Sequence, residues 1–542
     1  METVTIALVL LLAVVASGLL ARILPLPVPR PLFQIALGAA IGLFADIRVT
    51  LDPEIFFLLF LPPLLFLDGW RIPPEELVKD RAIIVELALG LVVVTVTGMG
   101  FFIHWMIPAV PLAVAFALAA IISPTDPIAV SAIARRVPIP RRMLHILEGE
   151  SLLNDASGLV CFRFAVAAAL TGAFSLREAL FSFAWVSVAG VAVGVLVTYA
   201  VTRVKDWISD RFGEDTGSQI LISLLIPFGS YLLAEHLDAS GILAAVAAGL
   251  TMSFAETSGR ALATTRVRRS TVWDTIQYTA NGIIFVLLGE QLPGILARAA
   301  ETVDITGNRE SWWLVLYVVA ITAGLAALRF AWVWLSLRLT ILRRRGRTTS
   351  PSWRIVAAMS FAGVRGAVTL AGVLTLPLTL ADGTPFPARD LAIFLAMGVI
   401  IASLLAATFV LPLLLNGLEL PPEPSRQAEE DAARIAAAEA AIAEIGRFLR
   451  AAGERAGDTD LYVAAASEIT ELYRQRIDRR SGEGDNADMG LRAERIEREM
   501  RLAALKAERA ELFRKVRRRE LGTETARKLV REIDILETRY AG

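Results

Sequence analysis

Two short stretches hold most of the polar side chains that interrupt the apolar first half of the chain. Ser123 to Val130 reads SPTDPIAV, with Pro124 and Pro127 flanking Thr125 and Asp126. A basic loop with Arg135, Arg136, Arg141 and Arg142 follows. The chain then reads EGESLLNDASGLV, placing Glu150, Ser151, Asn154 and Asp155 inside an apolar run that continues to about Leu170. An ionisable side chain at membrane depth costs about 2.5–3.5 kcal/mol on insertion scales, and such residues mark ion and proton pathways. A helix broken by proline at that depth frees backbone carbonyls, which are tolerated only where they line a cavity or are buried in protein. Carboxylates beside freed carbonyls form a hard-oxygen environment, which predicts a cation site inside a transporter.

Asp155 is the residue expected to bind cation and proton in turn. A low dielectric disfavours its charged form, whereas a bound cation favours it, so the two positive ligands compete for one carboxylate. A structural acid paired with an arginine is the other reading. Ser151, four positions earlier, shares the helical face of Asp155 and can offer its hydroxyl to the same ion, or bond back to its own helix. Asp126 is able to cap the half-helix that follows the break, with Pro127 in its first turn. That role is compatible with cation coordination.

The positioning elements follow from hydropathy. The 542 residues are 55% hydrophobic and mean hydropathy is +0.58, values of an integral membrane protein. Formal net charge is zero, so the overall charge points to no nucleic-acid partner. From Pro421 onward, however, lie 24 of the 54 basic and 25 of the 54 acidic residues. This divides the chain into an apolar body, 1–420, and a charge-mixed helical tail, 421–542. The lone Cys161 excludes an intrachain disulfide, and the first residues lack the basic start of a cleaved signal, so 4–22 reads as a retained span.

A span needs about 20 largely apolar residues. On that measure the chain predicts 13 transmembrane helices, near 4–22, 31–46, 54–70, 82–106, 111–134, 143–172, 178–202, 218–236, 239–255, 272–296, 311–341, 352–380 and 390–417. Lysine and arginine concentrate in alternate loops, from Arg22 and Arg30 through to Arg343–Arg347. By the positive-inside rule the N-terminus is outside and the tail cytoplasmic. Gly363, Arg365 and Gly366 interrupt span 12 as the prolines interrupt span 5. The offset of seven spans predicts an inverted repeat of spans 1–6 and 8–13 with discontinuous helices 5 and 12, an arrangement that places a transporter's binding site near the midplane. The tail has helical spacing and alanine, glutamate, arginine and leucine throughout, but no glycine-rich phosphate loop.

With SPTDPIAV and GESLLNDA as the main signature, the chain resembles the cation:proton antiporter-1 family of sodium/proton exchangers. FLPPLLFLDGW (Phe60 to Trp70), IIFVLLG (Ile283 to Gly289) and GVRGAVTLA (Gly363 to Ala371) are similar to further family blocks. The likeness spans roughly residues 5–417. It implies that Asp155 is the ion-binding acid, that Thr125 and Asp126 contribute to coordination, and that Glu150 pairs structurally with Arg329. Arg365 is the alternative partner, or a neutraliser of carbonyl dipoles at the second break. Asn154, where related families carry an aspartate in electrogenic exchangers, suggests electroneutral exchange. The resemblance also implies a homodimer in which spans 5, 6, 12 and 13 form a core that moves against a dimerising domain.

Less informative are Asp68, Glu86 and Glu148, expected near the cytoplasmic ends of their spans, where they line an entrance or simply meet solvent. Arg163 is expected deeper, two turns past Asp155, and Glu290 carries no assignment. His145 and Glu148 (HILE) do not form an HExxH zinc motif. The expectation is therefore an all-α antiporter of a bacterial inner membrane, not an enzyme and without a cofactor, exchanging sodium for protons. Potassium/proton exchange and a cation channel are the rival readings.

Overall fold

The computed structural model describes the chain except residues 1, 25–27, 45–52, 80, 127–140, 173–175, 257–261, 306–311, 344–351, 381–382, 417–425, 454–458, 482–484 and 542. The chain divides into two compact units, Met1–Leu418 and Glu419–Gly542. In the first, α1 (Glu2–Ile23), α2 (Arg30–Phe44), α3 (Pro53–Arg71) and a short α4 (Pro74–Lys79) come in order. Next, α5 (Arg81–Val85) passes through a π-helical turn, Glu86–Leu91, directly into α6 (Val92–Met106). Then come α7 (Leu112–Ile122), α8 (Arg141–Thr171), α9 (Leu176–Phe212), α10 (Thr216–His236), α11 (Gly241–Glu256), α12 (Ala263–Ile305) and α13 (Trp312–Arg343). The unit closes with α14 (Trp353–Phe361), α15 (Ala367–Leu374) and α16 (Arg389–Leu415).

Among the described residues there is no strand, only an isolated bridge between Thr379 and Pro385. Among the described residues eight helices are long and apolar enough to cross a membrane, while α2, α7 and α11 are shorter apolar helices. This is a multi-pass, all-helical architecture, as hydropathy predicts. The exteriors of α1, α9 and α13 carry exposed Leu12, Trp185 and Val315, the pattern of helices whose outer faces meet lipid.

Small residues set the closest approaches. A Cβ on Gly38 of α2 would run into the Val286 carbonyl of α12, and one on Gly289 of α12 into the Ile35 carbonyl of α2. The two backbones are therefore in direct contact. Where lipid surrounds the helices, such packing replaces the hydrophobic drive available in water.

The apolar runs break where the sequence predicts. α7 ends at Ile122, just before Pro124, which has no N–H to continue the ladder and crowds the preceding turn. Ser123 to Asp126 then leaves the helix; the rest of the motif, 127–130, lies outside the described residues. α14 ends at Phe361, and Ala362 to Gly366 runs non-helical until α15 begins at Ala367. The two breaks meet: Asp126 N–H donates to the Val364 carbonyl at 2.7 Å.

The second unit contains α17 (Arg426–Gly453), α18 (Thr459–Ser481), α19 (Asp485–Arg517) and α20 (Thr523–Ala541). α17 packs on α18, and α19 on α20. Buried Leu505, Ala526 and Ile533 close the second hairpin. Arg509 reinforces it by pairing with Asp534 at 2.7 Å and with Glu537.

Candidate functional site

The helix α8 carries two polar faces, each made by residues four apart. Four positions return to nearly the same direction, whereas the five from Glu150 to Asp155 turn roughly 140°. Glu150 and Asn154 accordingly look one way and Ser151 and Asp155 another, and the two pairs do different things.

Glu150 and Asn154 belong to one buried network. Arg329 of α13 donates to both carboxylate oxygens of Glu150, at 2.5 and 2.6 Å. Glu150 is 0% and Arg329 2% exposed, so each charge lacks water and has the other instead. Thr125 Oγ1 donates to Glu150 Oε1 at 3.4 Å, and Asn154 Nδ2 donates to Thr125 Oγ1 at 2.9 Å. The pair thereby ties the first break to α8. Glu150 pairs with Arg329 and not with Arg365.

Ser151 and Asp155 face a cavity of about 30 Å³. Asp68, Thr125, Asp126, Asn281 and Thr369 supply its other polar groups, and Leu61, Leu64, Leu65, Pro124, Gly366 and Val368 its apolar ones. That volume is enough to hold a water-sized occupant. Asp155 is 7% exposed. Among the described residues its carboxylate makes no hydrogen bond or ion pair, in contrast to Glu150. Ser151 makes no back-bond to its own helix, although Ser157 of the same helix donates to the Leu153 carbonyl at 3.0 Å.

Broken helices leave unpaired carbonyls at their C-terminal ends, where the helix dipole is negative. Two buried arginines meet them. Arg365 Nε donates to the Ile122 carbonyl, the last of α7, at 2.9 Å, and Arg365 Nη1 donates to the Gly363 carbonyl. Arg329 Nε donates to the Met359 carbonyl near the end of α14 at 2.9 Å. Arg365 N–H also donates to Ser403 Oγ of α16 at 3.2 Å. Gly366 permits the crossing, because a Cβ there would land on the Asp126 side chain.

All four residues expected to contact the cation, Thr125, Asp126, Ser151 and Asp155, line the one cavity. Two further polar residues on it were not singled out for that role. Asp68, expected near a span end, lies in the last turn of α3, and Asn281 sits in an otherwise apolar run. The α3 face that presents Asp68 is Leu61, Leu64, Leu65 and Asp68, a three- and four-residue spacing that sequence inspection could have recovered. Glu148 lies 3.4 Å from His145 Nδ1, and Glu86 sits in the π-helical turn. Arg163, expected deep in the helix, is instead about half exposed and pairs with Glu235 of α10 at 3.1 Å. Glu290 is buried beside Gln291, whose Nε2 donates to it at 2.8 Å. Among the described residues no three His, Cys, Asp or Glu side chains converge closely enough to hold a metal ion. An ion in the cavity would thus need hydroxyl, amide or carbonyl oxygens as well as carboxylate.

Comparison with known proteins agrees with this architecture. Residues 7–417 match the family model described as sodium/hydrogen exchanger, transmembrane. The chain is 42% identical to the uncharacterized Na(+)/H(+) exchanger YjcE of Escherichia coli K12, over 99% of this chain and 98% of that protein. It is 38% identical to the sodium, potassium, lithium and rubidium/H(+) antiporter of Bacillus subtilis 168, over 100% of this chain and 78% of that one. In fold it is similar to the sodium proton antiporter MjNhaP1 of Methanocaldococcus jannaschii, with a TM-score of 0.59 and 21% identity over 77% of this chain and 99% of that chain.

Proposed function

Because the chain belongs to the sodium/hydrogen exchanger family and is therefore a secondary transporter and not an enzyme, we propose that it moves sodium or another alkali cation one way and a proton the other through the Asp155 cavity. The observation that carries this reading is the contrast on α8. Glu150 is compensated by Arg329, while Asp155, also buried, faces the cavity with no partner among the described residues. An uncompensated carboxylate in a low dielectric takes up either a proton or a cation, and holding one excludes the other. Exchange follows when the cavity opens to each side in turn. One shared carboxylate makes the cycle electroneutral, with one charge in and one out.

Thr125, Asp126 and Ser151 supply further oxygens to the ion. Asn154, Glu150, Arg329 and Arg365 hold the two breaks in place. Thirteen spans with inverted repeats, the N-terminus outside, the tail domain (421–542) in the cytoplasm, a homodimer and a bacterial plasma-membrane location complete the proposal. They rest on loop charge, on the seven-span offset of the two breaks and on the family. The name of the Bacillus subtilis relative, which includes potassium, lithium and rubidium, favours a cation range wider than sodium.

The test uses purified protein in liposomes loaded with a pH-sensitive dye. Sodium pulses should drive proton movement in the native protein and none in Asp155→Asn, which keeps shape but cannot carry the charge. Sodium-driven pH change retained by a well-folded Asp155→Asn protein would overturn the assignment.

A further inference from the structure

Asn281 lies on α12, inside an otherwise apolar stretch, NGIIFVLLG. It lines the cavity that Asp155, Asp126, Thr125 and Ser151 line from α8 and the first break. It is 8% exposed, and its side-chain oxygen is buried without a hydrogen-bond partner among the described residues. A buried amide oxygen without a partner is uncommon and calls for a reason. The cavity content, an ion or its last water, is the partner at hand.

The support behind Asn281 is stiff. The next residue, Gly282, packs so closely on Val14 of α1 that a Cβ would meet the valine methyls at 2.6 and 2.8 Å. One and two turns further on, Val286 and Gly289 are in backbone contact with α2. A backbone held this firmly fixes where the Asn281 side chain starts and so limits how closely its oxygen can approach an ion, and that distance is how neutral oxygens tell small cations from large ones.

We infer that Asn281 is a cation-selectivity residue: its amide oxygen, from α12, completes the oxygen set that the broken helix and α8 supply. This rests on the Asp155 reading above and deepens it. The neutral amide adds no charge to the cycle, so it can alter which ion binds without altering how many charges cross.

The experiment measures antiport in everted membrane vesicles, with sodium, lithium, potassium and rubidium chlorides as the probes. Removing one neutral ligand of a charged species corresponds to a change of about tenfold. Asn281→Ala should raise the sodium KM about tenfold, change the order or spacing of the four cation KM values, and leave the maximal rate within about twofold. Asn281→Asp, which keeps an oxygen in place, should bring the sodium KM back to the native value or below. Unchanged KM values for all four cations in Asn281→Ala would overturn the inference. So would a uniform fall in rate with KM and ion preference intact, the mark of a structural role. If Asn281→Ala does not run as a single species on size exclusion, the Asp variant decides alone: a sodium KM far above native refutes the inference. None of these results touches the Asp155→Asn test, so the two readings fail separately.

Discussion

Glu150→Ala is the perturbation whose size the geometry sets most closely. The substitution removes two charge-assisted hydrogen bonds, of 2.5 and 2.6 Å, from a guanidinium that is 2% exposed. The Nε bond to Met359 O survives, but the buried guanidinium loses its counter-charge. Leaving one member of a buried pair uncompensated costs about 3–5 kcal/mol. The expected loss for Glu150→Ala is therefore about 3 kcal/mol or more, a factor of over a hundred in the folding equilibrium. Adding Arg329→Met removes the stranded charge and fills most of its volume with apolar atoms, so the double variant should recover much of that loss. The assay is a double-mutant cycle by equilibrium SDS denaturation in mixed micelles, with native size-exclusion profiles as the check on starting state. A coupling energy of about 2 kcal/mol or more between the sites is expected. If the two single losses simply add, the pair is not what holds α8, α13 and the first break together, and the separation of a structural acid from a functional one on α8 fails.

Three further substitutions probe the crossing of the breaks, an open position on α10 and the far end of α8. Gly366→Ala places a methyl on the Asp126 side chain; at about 1–3 kcal/mol for overpacking, exchange in proteoliposomes should fall at least severalfold. Gly229→Ala, with nothing within 4 Å, should leave transport unchanged and raise stability by no more than about 1 kcal/mol. Arg163→Gln breaks the 3.1 Å pair with Glu235, whose carboxylate also accepts Gly241 N–H at 3.2 Å. Because the pair is half exposed, it should alter SDS stability by less than about 1 kcal/mol, and the difference should shrink further in high salt.

The parts of the fold legible in the sequence were those with a one-dimensional signature. Apolar length located the helices, and Pro124, Gly363 and Gly366 located the breaks, because proline and glycine act on their own backbone. Ser151 and Asp155 shared a face on spacing alone. What spacing could not reveal was the direction of each face. A helix in lipid is apolar all round, so no polar stripe announces which side is inward. Asp68 does lie in the last turn of α3, as expected, but the sequence pattern around it gave no signal that this face turns to the cavity. Asn281 passed unnoticed in an apolar run for the same reason. The pairing of Glu150 with Arg329 bridges 179 positions and has no local signal; family resemblance supplied it, and the alternative partner, Arg365, is engaged with the carbonyls of Ile122 and Gly363.

That allocation of arginines explains why an acid can remain uncompensated at this depth. Each broken helix ends in carbonyls that nothing in a bilayer would satisfy, and each end receives a guanidinium: Arg365 at the end of α7, Arg329 near the end of α14. Arg329 needs a counter-charge, and Glu150 supplies it through a bidentate contact. The Arg365 side chain is held by two carbonyls and its N–H by Ser403. Both cations are thus committed before Asp155 is considered, and the 140° turn between Glu150 and Asp155 carries the second acid away from the first network. A fixed cation reaching Asp155 would make the site permanently neutral and abolish its use for a mobile one. The architecture instead commits both arginines to backbone carbonyls and to Glu150 and leaves Asp155 without a fixed partner among the described residues, the condition that the proposed exchange requires.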